Sequence, residues 1–479
     1  MQKTSILKGT FYLGISQIVF ILSGYITNFW LARYLGPNNY GIYGVIISFI
    51  TIVRLVSTRG FSQAVSKYCA EDETLAYSIK TSMLKILIPF STLIAIICYF
   101  FAPLIAVMFK DDKLVPFLRI SVPIIPLFLI YAIFVGYFNG LQLFNKQSYL
   151  VIIYSSLKLI FIILLSIYFG LYGAITGFMI ALIGSILSGV SSSKKGRSVY
   201  FNNLKLIKFA FPIIINSITF SILINLGLLM IKSILVDNIL TGYYNASVTL
   251  SRAPNLLLSG VLGTIILPAT SSSIKKQSLE KTRNLINRWI KFSLIISLPI
   301  TFLFSFTSSK LINLLYTEQY APSSRPFSIL IYGMMFLAIF NILSNILKGA
   351  GKPHIPMIIA LVSLVLNFVL NIYLIPNYQL IGAAISTSIV GLLAIILTSY
   401  LIYREFRVLI SIKAFLKIIL ASLITTIPTI FIAIPKFLLP IEYMFSIVIY
   451  FILLYSMNEI TKKDIEKLRK TILTFFPWL

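Results

Sequence analysis

Apolar runs of about 20 residues, each bounded by Lys, Arg, Gly or Pro, follow one another along almost the whole chain. A run of that length spans a bilayer's hydrocarbon core when helical, whereas a helix at a soluble surface shows a polar face every turn. Fourteen runs are legible, over 10–32, 40–58, 80–108, 116–140, 148–169, 172–190, 207–234, 240–268, 286–306, 327–347, 355–375, 380–402, 414–434 and 440–457. The pattern predicts an all-α, polytopic membrane protein with about 14 transmembrane helices. The first run follows Lys3 and Lys8 in the manner of a signal peptide. It is too long for one, however, and reads as an uncleaved first helix.

An internal repeat organises the runs. A shift of 209 places Gly140 on Gly349, Leu171-Tyr172-Gly173-Ala174 on Leu380-Ile381-Gly382-Ala383, and run 148–169 on 357–378. A shift of 201 sets Gly41 and Tyr43 on Gly242 and Tyr244. Each copy holds six runs, and an even number returns the chain to the same side, so the copies share orientation as a parallel pseudo-two-fold repeat. The expected organisation is a six-helix lobe over 1–200, a second over 201–408, helices 13 and 14 over 409–458, and an amphipathic cytoplasmic tail over 459–479. Two such lobes are expected to enclose a cavity that opens to one side of the membrane at a time.

Composition agrees: 58% of residues are hydrophobic and 11% charged, against about 45–50% and about 25% in soluble domains. The chain carries 40 Lys and Arg against 13 Asp and Glu, a formal charge of +27. Such an excess suggests nucleic acid until the cations are located. Most fall in segments that alternate spans leave on the N-terminal side, and the opposite side holds only Arg33, Lys110, Lys113, Arg119, Lys310, Arg325 and Lys436. That asymmetry is topogenic. It places both termini in the cytoplasm and the protein in the cell membrane among anionic lipids, and it removes nucleic acid as a partner. Cys69, Cys98 and the single His354 supply neither a disulfide framework, a metal site nor a catalytic base, so no cofactor and no catalytic residue are expected. A monomer is expected, with glycan-assembly enzymes as possible partners.

Five cations remain at membrane depth: Arg54, Lys85, Lys158, Lys232 and Arg252, with no acid deep in a span. An ionisable group there faces water or a partner and marks a functional site. Lys85 is close enough to Lys80 to reach the inner interface, and Lys232 either reaches the outer interface or pairs with Asp237. Arg54, Lys158 and Arg252 are expected to line the cavity, with Arg33 and Arg59 either edging it or serving as topogenic charges. Donor-only side chains without acids suit a phosphate-bearing amphiphile, and a cation-coupled drug exporter would carry an intramembrane acid. Asn28, Asn216, Asn225, Asn341, Asn345, Asn367 and Asn371 hydrogen-bond between helices or touch sugars.

The segment Ala32-Arg33-Tyr34-Leu35-Gly36-Pro37 with Tyr40-Gly41-Ile42-Tyr43 resembles the Wzx-type polysaccharide transporters of the multidrug/oligosaccharidyl-lipid/polysaccharide exporter superfamily. Gly140-Leu141-Gln142 and Ile381-Gly382-Ala383-Ala384 carry the same resemblance. It implies a six-plus-six-plus-two helix plan and export of a lipid-linked oligosaccharide. Arg54-Leu55 ahead of Gly60-Phe61-Ser62-Gln63-Ala64, and the stretch Val261 to Pro268, are similar to the lipid II flippases of that superfamily, which implies that Arg54 binds pyrophosphate. Thr27-Asn28 stands where those relatives carry an Arg-Asp pair, and Thr249 where they carry an arginine one turn from Arg252. The resemblance therefore implies a lipid-linked pyrophosphate sugar other than lipid II. The remaining alternatives are a multidrug exporter of the same fold, or a scaffold or scramblase serving a glycan-assembly complex.

Overall fold

The computed structural model describes residues 6–193, 196, 203–261, 266–275, 279–431 and 435–461. The expected tail from residue 462 onward and positions 262–265 of the Val261 to Pro268 stretch lie outside the described residues. Among the described residues all regular structure is helical, and ten helical stretches are long and apolar enough to cross a bilayer.

Three of them, Ile6–Leu55, Phe144–Ser192 and His354–Phe406, each carry two of the expected runs. The longest, of 53 residues, would measure about 80 Å if straight, far beyond a hydrocarbon core of about 30 Å. Each instead bends at one residue: Gly36 (φ 71°, ψ 171°), Gly170 (φ 54°, ψ −129°) and Gln379 (φ 48°, ψ −125°). These bends are reversals. A Cβ on Gly173 would stand 1.8 Å from the Leu165 carbonyl oxygen, and one on Gly382 would stand 2.2 Å from that of Leu374. Residues that far apart in a straight helix are about 12 Å apart along the axis, so the arm after each bend lies against the arm before it. In the first hairpin the Tyr40 hydroxyl donates to Asn28 Oδ1 at 3.2 Å, across a sequence separation of 12. The bends at Gly170 and Gln379, and the contacts of Gly173 and Gly382, recur at the repeat spacing of 209 read from the sequence.

The chain forms two compact units, residues 1–225 with 232–242, and 226–231 with 243–479. In the first unit, helix Ile124–Gly140 packs on helix Arg59–Glu71 through small residues. A Cβ on Gly136 would meet Ser62 O at 2.3 Å and one on Gly140 would meet Ser66 O at 2.4 Å, a spacing of four that lets backbones touch. Ser62 Oγ donates to Ala132 O and Ser66 Oγ to Asn139 Oδ1, both at 2.7 Å, which pairs polar groups between the two helices. Helix Ala76–Met108 turns Phe100, Leu104, Val107 and Met108 outward with more than half of each exposed, a face suited to lipid.

In the second unit, helices Leu279–Phe306, Ser324–Gly349, Ile412–Phe431 and Leu439–Ser456 enclose an apolar core with Ile290, Ile342, Ile418 and Tyr450 at its centre. The eighth expected run, 240–268, is carried by helices Asn238–Ser251 and Ala253–Val261, broken at Arg252. Glu459 ties the start of the tail to this core through Lys291 at 2.6 Å and Lys417 at 3.3 Å.

Candidate functional site

Arg54 occupies the last turn of the first helical hairpin, where the chain leaves helical geometry before Arg59 begins the next helix. Its guanidinium lies over the Phe128 ring, with Cζ 3.6 Å from the centroid. Lys158 stands one turn beyond Tyr154 on helix Phe144–Ser192, with its ammonium 5.9 Å from the Phe20 centroid and 5.8 Å from that of Phe178. The two cations are within electrostatic reach of each other, and Arg54 is also within reach of Arg59, Tyr131 and Tyr154.

Beneath them the rings form a continuous layer. Tyr154 lies 5.0 Å from Tyr131, 6.0 Å from Phe178, 6.2 Å from Phe128 and 6.4 Å from Phe20. Tyr131 and Tyr154 are buried, whereas Phe20, Phe128, Phe178 and both cations are half-buried. A cation over a ring face gains about 0.5–2 kcal/mol without a counter-charge. The rings thus position Arg54 and Lys158 without a counter-charge.

Neither the Arg54 nor the Lys158 side chain hydrogen-bonds or ion-pairs with any described residue, and Arg54 Nε is buried without a partner. The acids of the first unit are all placed elsewhere. Glu71 pairs with Lys67, Asp72 accepts from Thr74 N–H, and Asp237 accepts from the N–H groups of Ile239 and Leu240, which caps that helix. Glu73 lies in the same turn as Asp72, Asp112 is exposed, and Asp111 is taken up by Lys232. The cluster is therefore rich in donors and poor in acceptors, the inverse of what a cationic ligand requires.

Of the other sequence candidates, Lys232 is placed apart from this cluster. Its side chain is 1% exposed, its ammonium donates to Asp111 Oδ2 at 2.6 Å and to Asn238 Oδ1, and its partner is thus Asp111, not Asp237. Asn28 and Asn225 are engaged between helices. Asn28 Nδ2 donates to Gly24 O and its Oδ1 accepts from Tyr40, while Asn225 Nδ2 donates to Ser221 O and its Oδ1 accepts from Ser48 at 3.0 Å. Arg33 is exposed three residues before the Gly36 bend, and Arg59 is exposed at the start of its helix. Arg252 sits half-buried in the second unit at the helix break, where its carbonyl accepts from Leu256 N–H. Asn367 joins the arms of the last hairpin, with Asn371 bonded to it from the same arm. Ser386 Oγ donates to Asn367 Oδ1 at 2.7 Å and Asn371 Nδ2 to the same oxygen at 3.0 Å.

The aromatic layer was not legible in the sequence, which holds 37 Phe and 27 Tyr spread through every run. Glu442 was also missed as a buried acid. It lies in the first turn of helix Leu439–Ser456, 8% exposed, with both carboxylate oxygens lacking a hydrogen bond and Lys310 within electrostatic reach.

Residues 30–325 match a family model described as polysaccharide biosynthesis protein. An uncharacterised membrane protein of Methanocaldococcus jannaschii is 25% identical over 471 residues, covering 90% of each chain. A probable lipid II flippase MurJ of Rickettsia prowazekii is 26% identical over 142 residues, 28% of each chain. Among solved structures, the lipid II flippase MurJ in an inward closed conformation superposes with a TM-score of 0.76 at 21% identity, covering 94% of this chain and 99% of that one. The chain has the fold of this solved structure, and because the family match spans well over half of it, the protein belongs to the polysaccharide biosynthesis protein family.

Proposed function

We propose that the protein is a flippase that moves a polyprenyl-linked oligosaccharide from the cytoplasmic to the outer leaflet of the cell membrane by alternating access, for glycan or polysaccharide export. The observation that carries this reading is the pair Arg54 and Lys158, two half-buried cations on an aromatic layer, with every side-chain donor unspent and no acid in contact. Unspent donors at membrane depth call for an oxyanion, and a phosphate carried on a lipid is an oxyanion that reaches such a site from within the bilayer. Arg252, at the helix break of the second unit, is that unit's candidate for the same role. The family's description and the names of the flippase relatives support the cargo class.

Asn28 and Asn225 already spend their amides on the bundle, so sugar recognition falls to other groups. The test is mass spectrometry of lipids that co-purify with the protein from its own membranes. A phosphate-bearing polyprenyl glycan is expected with the wild type and is lost with Arg54→Ala. Its absence from the wild type, with ordinary phospholipids in its place, refutes the reading.

A further inference from the structure

Arg119 lies on helix Leu114–Ser121, one turn after the exposed Pro116, and its guanidinium sits over the Tyr99 ring with Cζ 5.0 Å from the centroid. Tyr99 is exposed on helix Ala76–Met108, beside Phe100 on the face turned outward. Arg119 Nε is buried without a hydrogen-bond partner, and neither the rest of its guanidinium nor the Tyr99 hydroxyl bonds to a described residue. No acid lies on either helix, nor on Ile6–Leu55 and Phe144–Ser192, which also pack against Leu114–Ser121. In the connecting loop Lys110, Asp112 and Lys113 are exposed, and Asp111 is held by Lys232 and Asn238. Depth makes the unspent donors consequential. Tyr99 is nine residues, about 14 Å, from the end of its helix, and Arg119 five residues, about 8 Å, from the start of its own. A guanidinium that only snorkels reaches up to the loop; this one rests on a ring that is deeper by that count, below the loop and toward the hydrocarbon boundary.

We propose that Arg119 and Tyr99 form a site for the phosphodiester of an anionic glycerophospholipid, in the leaflet that the charge asymmetry of the loops assigns to the outside. The planar fork of the guanidinium matches two phosphate oxygens, and the Tyr99 hydroxyl is a further donor beside it. The ring holds the cation without neutralising it. The occupant is a lipid because the exposed face of Phe100 and Leu104 continues from the site and suits acyl chains. It is an anionic lipid because Lys110 and Lys113, above the site, repel the ammonium of a zwitterionic head. The site shares no residue with the Arg54 cluster and does not rest on the flippase reading.

The full-length protein in detergent micelles is titrated with phosphatidylglycerol or phosphatidylcholine, and bound lipid is counted by native mass spectrometry. Glycerophosphoglycerol, the head of the first lipid without its acyl chains, serves as the soluble competitor. Basic loops on the other side of the membrane also attract anionic lipid, so the reading is the difference between wild type and variants. Arg119→Gln is expected to weaken the tightest phosphatidylglycerol binding about tenfold, equivalent to about 1.4 kcal/mol, and to leave phosphatidylcholine binding unchanged. Tyr99→Leu, which keeps the charge and removes the ring and hydroxyl, is expected to weaken it about threefold. Should Arg119→Gln fail to fold, Arg119→Lys retains the charge without the fork and is expected to weaken binding about threefold. Glycerophosphoglycerol is expected not to displace the lipid. Unchanged phosphatidylglycerol binding in Arg119→Gln, an equal loss of both lipids, or wild-type binding no tighter for phosphatidylglycerol than for phosphatidylcholine overturns the proposal. Displacement by glycerophosphoglycerol overturns it as well, because the site then takes a free phosphodiester and not a lipid.

Discussion

Removing the ammonium of Lys232 isolates a carboxylate. In Lys232→Met the side chain keeps its length, and Asp111, with its side chain 10% exposed, retains Asn238 Nδ2 at 3.0 Å and the Lys113 N–H at 3.1 Å. Breaking a buried ion pair from one side costs about 3–5 kcal/mol, because the remaining charge stays desolvated. Two hydrogen bonds survive here and the loop meets water, so about 3 kcal/mol is expected. In the double variant Lys232→Met with Asp111→Asn no charge remains, and it is expected to be more stable than Lys232→Met alone by about 1–2 kcal/mol, the signature of direct coupling.

Unfolding of the purified protein in detergent, by heat and by denaturant, measures both. Acid supplies a second readout. Burial raises the Asp111 carboxyl, but hydrogen bonds from Lys232 and Asn238 and the Lys232 charge outweigh it and leave the group below its usual value. A depressed acid stabilises the fold above its unfolded pKa of about 3.9, and that stabilisation is lost as pH falls through the folded value. The gap between wild type and Lys232→Met therefore narrows below about pH 4. Additive single effects, or a Lys232→Met protein that melts with the wild type, would refute the assignment of Lys232 as a structural cation.

Gln379 bends the last hairpin in a conformation that favours glycine, at the repeat position where the first unit has Gly170. Relief of strain of order 1–3 kcal/mol, less the entropy glycine adds to the unfolded chain, makes Gln379→Gly stabilising by about 1 kcal/mol, measured as a higher melting temperature. Gly173→Ala drives a Cβ to within 1.8 Å of the Leu165 carbonyl, and is expected to cost at least about 1–3 kcal/mol in the same assay. Burial raises the Glu459 carboxyl, but Lys291 and Lys417 lower it further, so its contribution is present above about pH 4.3 and lost below it. Glu459→Gln should lower stability at neutral pH and converge on the wild type in acid, as followed by melting across a pH series.

The fold was readable because bilayer length is a coarse constraint. Runs 10–32, 148–169, 172–190, 355–375 and 380–402 lie in helical arms on either side of a bend, and run 40–58 does so as far as Leu55. The repeat spacing, read from a few glycines, coincides with the spacing of two reversals, because Gly173 and Gly382 permit the close approach that such a hairpin requires. Gln379 shows the limit of that reading. Nothing in its side chain marks a left-handed backbone, and only its register with Gly170 does.

Lys158 and Lys232 show why the site was only half legible. In sequence each is a lone lysine inside an apolar run, and hydropathy treats them alike. Their difference lies in what arrives from elsewhere in the chain: an acid 121 residues away in one case, and phenylalanine rings from the same unit in the other. A buried cation that finds a carboxylate becomes part of the framework. One that finds only π-faces keeps its charge available, because a ring quadrupole stabilises an ammonium without neutralising it. Whether an intramembrane lysine or arginine binds cargo thus depends less on its depth than on the failure of every acid in the unit to reach it. In this protein the acids of the first unit are held at helix ends by capping, pairing and loop position, which leaves Arg54 and Lys158 with their charge for an anion to meet.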